Sequence, residues 1–193
     1  VIRALYLPKL FAVTPDYTQV AGNFLKKFEG IISKEYVRII QLRSHELNFS
    51  EYTKLAKQCA SLCSKRNVQL ILNRDMESLA ELQVTGLHLT SNKLLSAKER
   101  PLSHEYLVGA SCHNLQEVEH ANAMGLDYIF LGPVLEKNSS ENTKTLGWEG
   151  FAKLARESLI PVYAIGGLKT EDTQTSMRHG GQGVAAIRSI WDE

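Results

Sequence analysis

Eight short apolar runs punctuate this 193-residue chain, each separated from the next by polar or amphipathic sequence. They are Leu10–Thr14, Tyr36–Arg43, Gln69–Asn73, Gly86–Leu89, Tyr106–Ser111, Tyr128–Leu131, Pro161–Ile165 and Gly183–Ile187. Each has the length of a strand, and most are rich in Val, Ile, Leu or Tyr. The intervening segments carry helical periodicity. Ser50–Arg66 places Tyr52, Leu55, Ala56, Cys59, Leu62 and Cys63 on one face. Asn114–Met124 opens on Asn114 with an acid, Glu117, three residues later, and Gly125 stops it. Trp148–Ser158 repeats apolar residues at Phe151, Leu154 and Ala155. Thr170 is expected to cap a helix over Glu171–His179 that Gly180-Gly181 ends, and Met76–Leu82 reads as a shorter helix.

Strand–helix alternation over a whole chain predicts an α/β fold with a parallel sheet covered by helices. Eight units predict a compact (β/α)8 TIM barrel. An open flavodoxin-like sheet would leave about three strands unplaced. The length suits one domain with a sizeable core, so residues 1–193 read as a single barrel domain. Only Arg188–Glu193 follows the eighth run, which predicts a truncated last helix. The flank left bare is then expected to be covered by Val1–Leu7 or by a second subunit of a homodimer.

Composition excludes several function classes. The net charge of +1 is spread along the chain, unlike the basic stripe of a nucleic-acid binder. No apolar run approaches the roughly 18–20 residues that span a bilayer. Val1–Leu7 lacks the length and flanks of a signal peptide. A start at Val rather than Met fits processing or excision from a longer chain. The three cysteines, Cys59, Cys63 and Cys112, form no disulfide framework and too sparse a set for a metal, so they read as reduced thiols of a cytoplasmic protein.

Strands buried on both faces are nearly all apolar, so their polar exceptions carry information. Here these gather at the C-terminal ends: Thr14, Gln41 and Arg43, Asn73, His88, Ser111 and His113, Gly132-Pro133, Gly166-Gly167, and Arg188. In a (β/α)8 barrel those ends form one ring, where active sites sit. Gln41 and Arg43 alternate with Val37 and Ile39 and should share one side of the sheet. A buried Arg43 needs either an internal Glu partner or a bound phosphate or pyrophosphate. Paired glycines at Gly166 and Gly167, with Ile187 and Arg188 after the next strand, match the common phosphate site of this fold. His113 is placed to give or take a proton, or to serve as a cap, because a histidine with its ordinary pKa near ~6.5 titrates close to neutrality. Cys112 is taken as packing.

At these residues the sequence resembles the thiamin phosphate synthase/TenI family. The matching pieces are Ile40-Gln41-Leu42-Arg43, Leu72-Asn73, Gly86-Leu87-His88-Leu89, Gly109-Ala110-Ser111-Cys112-His113, Gly125-Leu126-Asp127-Tyr128, Leu131-Gly132-Pro133 and Ala164-Ile165-Gly166-Gly167. Leu146–Trp148 and the wording of the last two strands look most like the branch fused behind a Nudix hydrolase domain. The resemblance implies a thiazole phosphate with its phosphate on Gly167 and the end of strand eight. A synthase would couple aminopyrimidine pyrophosphate to it and release pyrophosphate with Mg2+. Gln41, Arg43, Asn73 and Gly132 would hold substrate, and Ser111 would orient the pyrimidine. In the tautomerase branch His113 would isomerise the thiazole ring.

The chain departs from the family where charge is needed. The family's lysine after the arginine is His45. Its Asn-Asp pair is Asn73-Arg74, with Asp75 one place late as the remaining metal ligand. Its second aspartate is Asn92, and its Thr-x-Thr-Lys reads Lys137-Asn138-Ser139-Ser140. The phosphate end is better preserved than the pyrophosphate end, which favours tautomerase chemistry without Mg2+ over synthesis. A binding protein without turnover, or another phosphate-handling barrel, completes the set of readings. The expected partner is a small phosphate substrate.

Overall fold

The computed structural model describes residues 7–74, 82–136 and 144–192. Eight parallel strands close into a barrel in sequence order, β8 pairing with β1. They are β1 (Leu10–Val13), β2 (Ile39–Leu42), β3 (Gln69–Leu72), β4 (Gly86–Leu89), β5 (Leu107–Cys112), β6 (Tyr128–Leu131), β7 (Val162–Ile165) and β8 (Gly183–Ala186). All eight expected runs are strands, and two match to the residue. The predicted starts at Tyr36, Tyr106 and Pro161 lie outside the sheet, in the turns that enter it.

The helices are α1 (Phe24–Ile32), α2 (Phe49–Arg66), α3 (Ser91–Ser96), α4 (Leu115–Ala123), α5 (Gly147–Ala155), α6 (Thr173–Arg178) and α7 (Arg188–Trp191). Alternating strand residues divide the core in two. Outward residues such as Ile40, Leu72, Val108, Leu131 and Val184 pack with the helices. Inward residues fill the lumen: Phe11, Val13, Ile39, Ile71, Leu107, Tyr128, Phe130, Tyr163 and Ala185. The Phe11 ring meets those of Tyr128, Phe130 and Tyr163 at 4.8–5.4 Å between centroids, which makes the barrel a packed core rather than a pore.

Helix α2 is fixed by a capping box. Asn48 accepts from the Glu51 N–H at 3.0 Å, and the Glu51 carboxylate accepts from the Asn48 N–H at 3.1 Å. Asn114 caps α4 as expected, accepting from the Glu117 N–H at 3.0 Å, while the Glu117 carboxylate accepts from the His113 N–H rather than from the backbone of Asn114. Thr170 does not cap α6. Asp172 instead accepts from the Lys169 N–H at 2.8 Å to close a 3-10 turn that leads into it. The helix expected at Met76–Leu82 lies outside the described residues except for Leu82, which is buried.

The truncated last helix covers its own flank. Ile190 and Trp191 are buried, and the Trp191 ring packs 5.1 Å from Phe24 of α1. Lys27 Nζ closes the contact on the Trp191 carbonyl at 3.3 Å. The expected cover by Val1–Leu7 lies outside the described residues except for Leu7, which packs on the lumen cluster. Its carbonyl accepts from Gln182 Nε2 at 2.8 Å. Among the described residues no helix is long and apolar enough to cross a membrane.

Candidate functional site

The C-terminal ends of all eight strands form one mouth. Ile39 lies in the lumen, so Gln41, two residues on, points inward above it and is 2% exposed. Val37 does not share that side. It precedes the strand and packs with the helices, because the regular alternation begins only at Ile39. Gln41 Oε1 is buried with no hydrogen-bond partner. A buried unpaired carbonyl of this kind is uncommon.

Arg43 lies just beyond β2 and is not deeply buried. Its side chain is 34% exposed, and Nη1 sits 2.9 Å from Asp16 Oδ2. The partner is an aspartate on the β1–α1 loop, not the glutamate expected inside the barrel. Burial alone would raise the Asp16 carboxyl, but the hydrogen bond and charge of Arg43 outweigh it and hold the group below its ordinary value. Thr14 serves the same corner. Its Oγ1 donates to the Arg43 carbonyl and accepts from the Arg43 N–H, both at 2.9 Å, so this hydroxyl clamps β1 to the end of β2.

Asn73 Nδ2 donates to the His88 carbonyl at 2.7 Å, and its backbone N–H donates to Tyr52 Oη at 3.2 Å. The Tyr52 hydroxyl in turn donates to the Leu42 carbonyl at 2.9 Å. Tyr52 thereby ties α2 to the ends of β2 and β3, a role that its place on the apolar helix face conceals. Arg74 is engaged with the β2–α2 loop. Its guanidinium donates to the carbonyls of Leu47 at 2.7 Å and His45 at 3.1 Å and lies over the Tyr52 ring. Asp75 and Lys137–Ser140 lie outside the described residues. Burial, and next the charge of Arg43, push the His45 imidazole below its ordinary pKa, which disfavours it as a cationic substitute for lysine.

On the opposite side, Ser111 is half-buried and bonded to His88, whose Nε2 lies 2.9 Å from Ser111 Oγ. His88 is 2% exposed, and burial pushes its pKa down to about 3. His88 is therefore neutral and tied to Ser111. A histidine in mid-strand was its signal in the sequence. His113 is exposed, and its Nδ1 lies 2.6 Å from the Gly132 carbonyl. A carbonyl only accepts, so Nδ1 carries the proton, and Nε2 is the atom able to take one. Cys112 faces the helices, and burial pushes its thiol up to about 12, which makes it packing rather than a nucleophile.

Gly166 and Gly167 both take positive φ, +100° and +66°. Their lack of a side chain serves a close approach of loops. A Cβ on Gly167 would lie 2.6 Å from the Glu136 carbonyl oxygen and 2.7 Å from that of Leu135. The sequence suggested that this space belongs to a ligand, but the β6–α5 loop occupies it. Ile187 and Arg188 begin the first turn of α7 at the neighbouring strand end, and Ser189 Oγ is buried there without a hydrogen-bond partner.

The chain matches the family described as thiamine monophosphate synthase (TMP-TENI) over residues 10–190. It is 30% identical over 181 residues to the putative thiamine-phosphate synthase 2 of Aquifex aeolicus, covering 94% of this chain and 96% of that one. The thiamine-phosphate synthase of Fusobacterium nucleatum subsp. nucleatum is 30% identical over 186 residues, covering 96% and 90%. The solved thiamine phosphate pyrophosphorylase from Pyrococcus furiosus shares the fold, with a TM-score of 0.75 at 20% identity over 96% of this chain and 88% of that chain. The match runs through all eight strands and both ends of the mouth, and the chain belongs to the thiamine monophosphate synthase family.

Proposed function

We propose that this chain joins an aminopyrimidine, carried as its pyrophosphate ester, to a thiazole phosphate. A ring nitrogen of the thiazole bonds to the pyrimidine's methylene carbon, and the carbon–oxygen bond to pyrophosphate breaks with its electrons. The observation that supports this reading is that two sets of polar groups of different chemistry lie at the C-terminal strand ends. Gln41 Oε1, buried and unpartnered, and Ser111 Oγ suit the edge of a heteroaromatic ring. The backbone of Gly167, Ile187 and Arg188, with Ser189 Oγ, suits a phosphate. Family membership and the names of the relatives support this reading.

The family chemistry implies Mg2+, and the described residues do not fit that ion. Among them no group of three or more His, Cys, Asp or Glu could hold a metal. Arg74 and Asn92 stand where the family places aspartates, and Arg74 is committed to loop carbonyls. Arg43, partly occupied by Asp16, is then, among the described residues, the cation proposed to meet the departing pyrophosphate. This site is expected to couple slowly, since one lost charge-stabilising contact costs on the order of 10²–10³ in rate.

One observation favours a second reading, isomerisation of the thiazole. The Gly132 carbonyl fixes the His113 tautomer and leaves Nε2 as the ring atom able to act as a base. Paired assays separate the two. Formation of thiamin phosphate supports coupling. Isomerisation without coupling, lost in His113→Ala, supports the second reading. Binding of thiazole phosphate with neither product makes the chain a ligand-binding protein.

A further inference from the structure

The barrel interior contains a polar chain whose direction can be read from burial. Tyr128 enters the lumen from β6 because Gly109 on β5 has no side chain. A Cβ there would lie 2.1 Å from Tyr128 Cζ. Tyr128 Oη is 3.2 Å from His88 Nδ1, and His88 Nε2 is 2.9 Å from Ser111 Oγ. Tyr128 is 0% exposed and His88 2%. The rings of Phe130 and Tyr128 flank the imidazole at 4.3 and 5.6 Å between centroids.

The sense of the chain follows from where the phenolic proton goes. A buried O–H without an acceptor is costly, and among the described residues the recorded partner of this hydroxyl is His88 Nδ1. Tyr128 therefore donates and Nδ1 accepts. Burial keeps the phenol protonated and the imidazole neutral, so the single ring proton sits on Nε2. Nε2–H then donates to Ser111 Oγ. The Ser111 proton has no role within the chain and is directed to the mouth.

We propose that Tyr128 and His88 are positioning residues that fix Ser111 as a hydrogen-bond donor. Ser111 thereby selects a heteroaromatic ring atom bearing a lone pair over one bearing hydrogen. The selected atom rests on the reading of this end of the mouth as a ring-binding site, whereas the direction of the chain does not.

The first test is a long-range proton–nitrogen correlation spectrum of the 15N-labelled full chain at pH 7. Nε2 protonated and Nδ1 bare is expected. The opposite tautomer or an imidazolium overturns the proposal. The second test measures binding of an aminopyrimidine phosphate. His88→Leu should weaken it about tenfold, the value of one lost neutral hydrogen bond. His88→Gln should restore most of the loss, because its amide nitrogen donates to Ser111 while its oxygen accepts from Tyr128. Adding His88→Leu to Ser111→Ala should weaken binding no further than Ser111→Ala alone. Independent losses that multiply, or no rescue by glutamine, overturn the positioning role. Wild-type protein that fails to bind the probe overturns the proposed function and the selected atom with it, and the spectrum then judges the direction of the chain separately.

Discussion

Asp16 Oδ2 and Arg43 Nη1 face each other at 2.9 Å across the β1 and β2 ends of the mouth. This pair places an internal carboxylate where the resemblance calls for a pyrophosphate. The pair is partly exposed, so it is worth only about 0.2–1 kcal/mol and yields to a stronger anion. Asp16→Asn is therefore expected to tighten inhibition by inorganic pyrophosphate by up to about fivefold, and Arg43→Ala to weaken it. An inhibition constant that rises in Asp16→Asn would show that Asp16 holds Arg43 for the ligand instead of competing with it.

Gly167→Ala should destabilise the fold by about 1–3 kcal/mol, from the positive φ and the clash with the Leu135 and Glu136 carbonyls. The displaced loop also carries Gly132 and its bond to His113. Thiazole phosphate affinity is thus expected to fall together with stability. Urea unfolding and calorimetric titration of the same variant check both, and an unchanged urea midpoint would refute the packing role.

His88 makes stability depend on pH with a definite sign. Its pKa of about 3 in the folded chain lies below the ordinary 6.5, so between these values the unfolded chain binds the extra proton. This contribution is complete above pH 6.5 and declines as pH falls toward 3. At pH 5 it amounts to a loss on the order of 2 kcal/mol. Urea midpoints from pH 7.5 to 5 should fall more steeply for the wild type than for His88→Gln, and parallel profiles would contradict a buried neutral imidazole.

Trp191→Ala should cost about 3–5 kcal/mol, as expected for a large aromatic removed from a core. The four-residue α7 covers the β8 flank mainly through Trp191 and Ile190, against Phe24. A thermal midpoint within a degree or two of the wild type would show that something else covers the flank.

The barrel was legible in the sequence because each strand is buried on both faces and reads as an apolar run. The mouth was legible because polar residues interrupt those runs at one end. Other features depend on partners distant in sequence. Asp16 meets Arg43 across 27 positions, and nothing local marks it. Helix α1 went unread although Phe24, Phe28, Ile31 and Ile32 follow helical spacing, because Gly30 interrupts the segment and Asn23 provides no side-chain cap. His88 was visible as a polar residue in mid-strand, but its partners come from β5 and β6 and appear only when the barrel closes.

The most direct test of the central claim is a coupling assay on the purified chain with aminopyrimidine pyrophosphate, thiazole phosphate and added Mg2+. The account predicts slow formation of thiamin phosphate that requires the phosphate on the thiazole and falls further in Arg43→Ala. No product from the wild type, or equal use of the unphosphorylated thiazole, would contradict it.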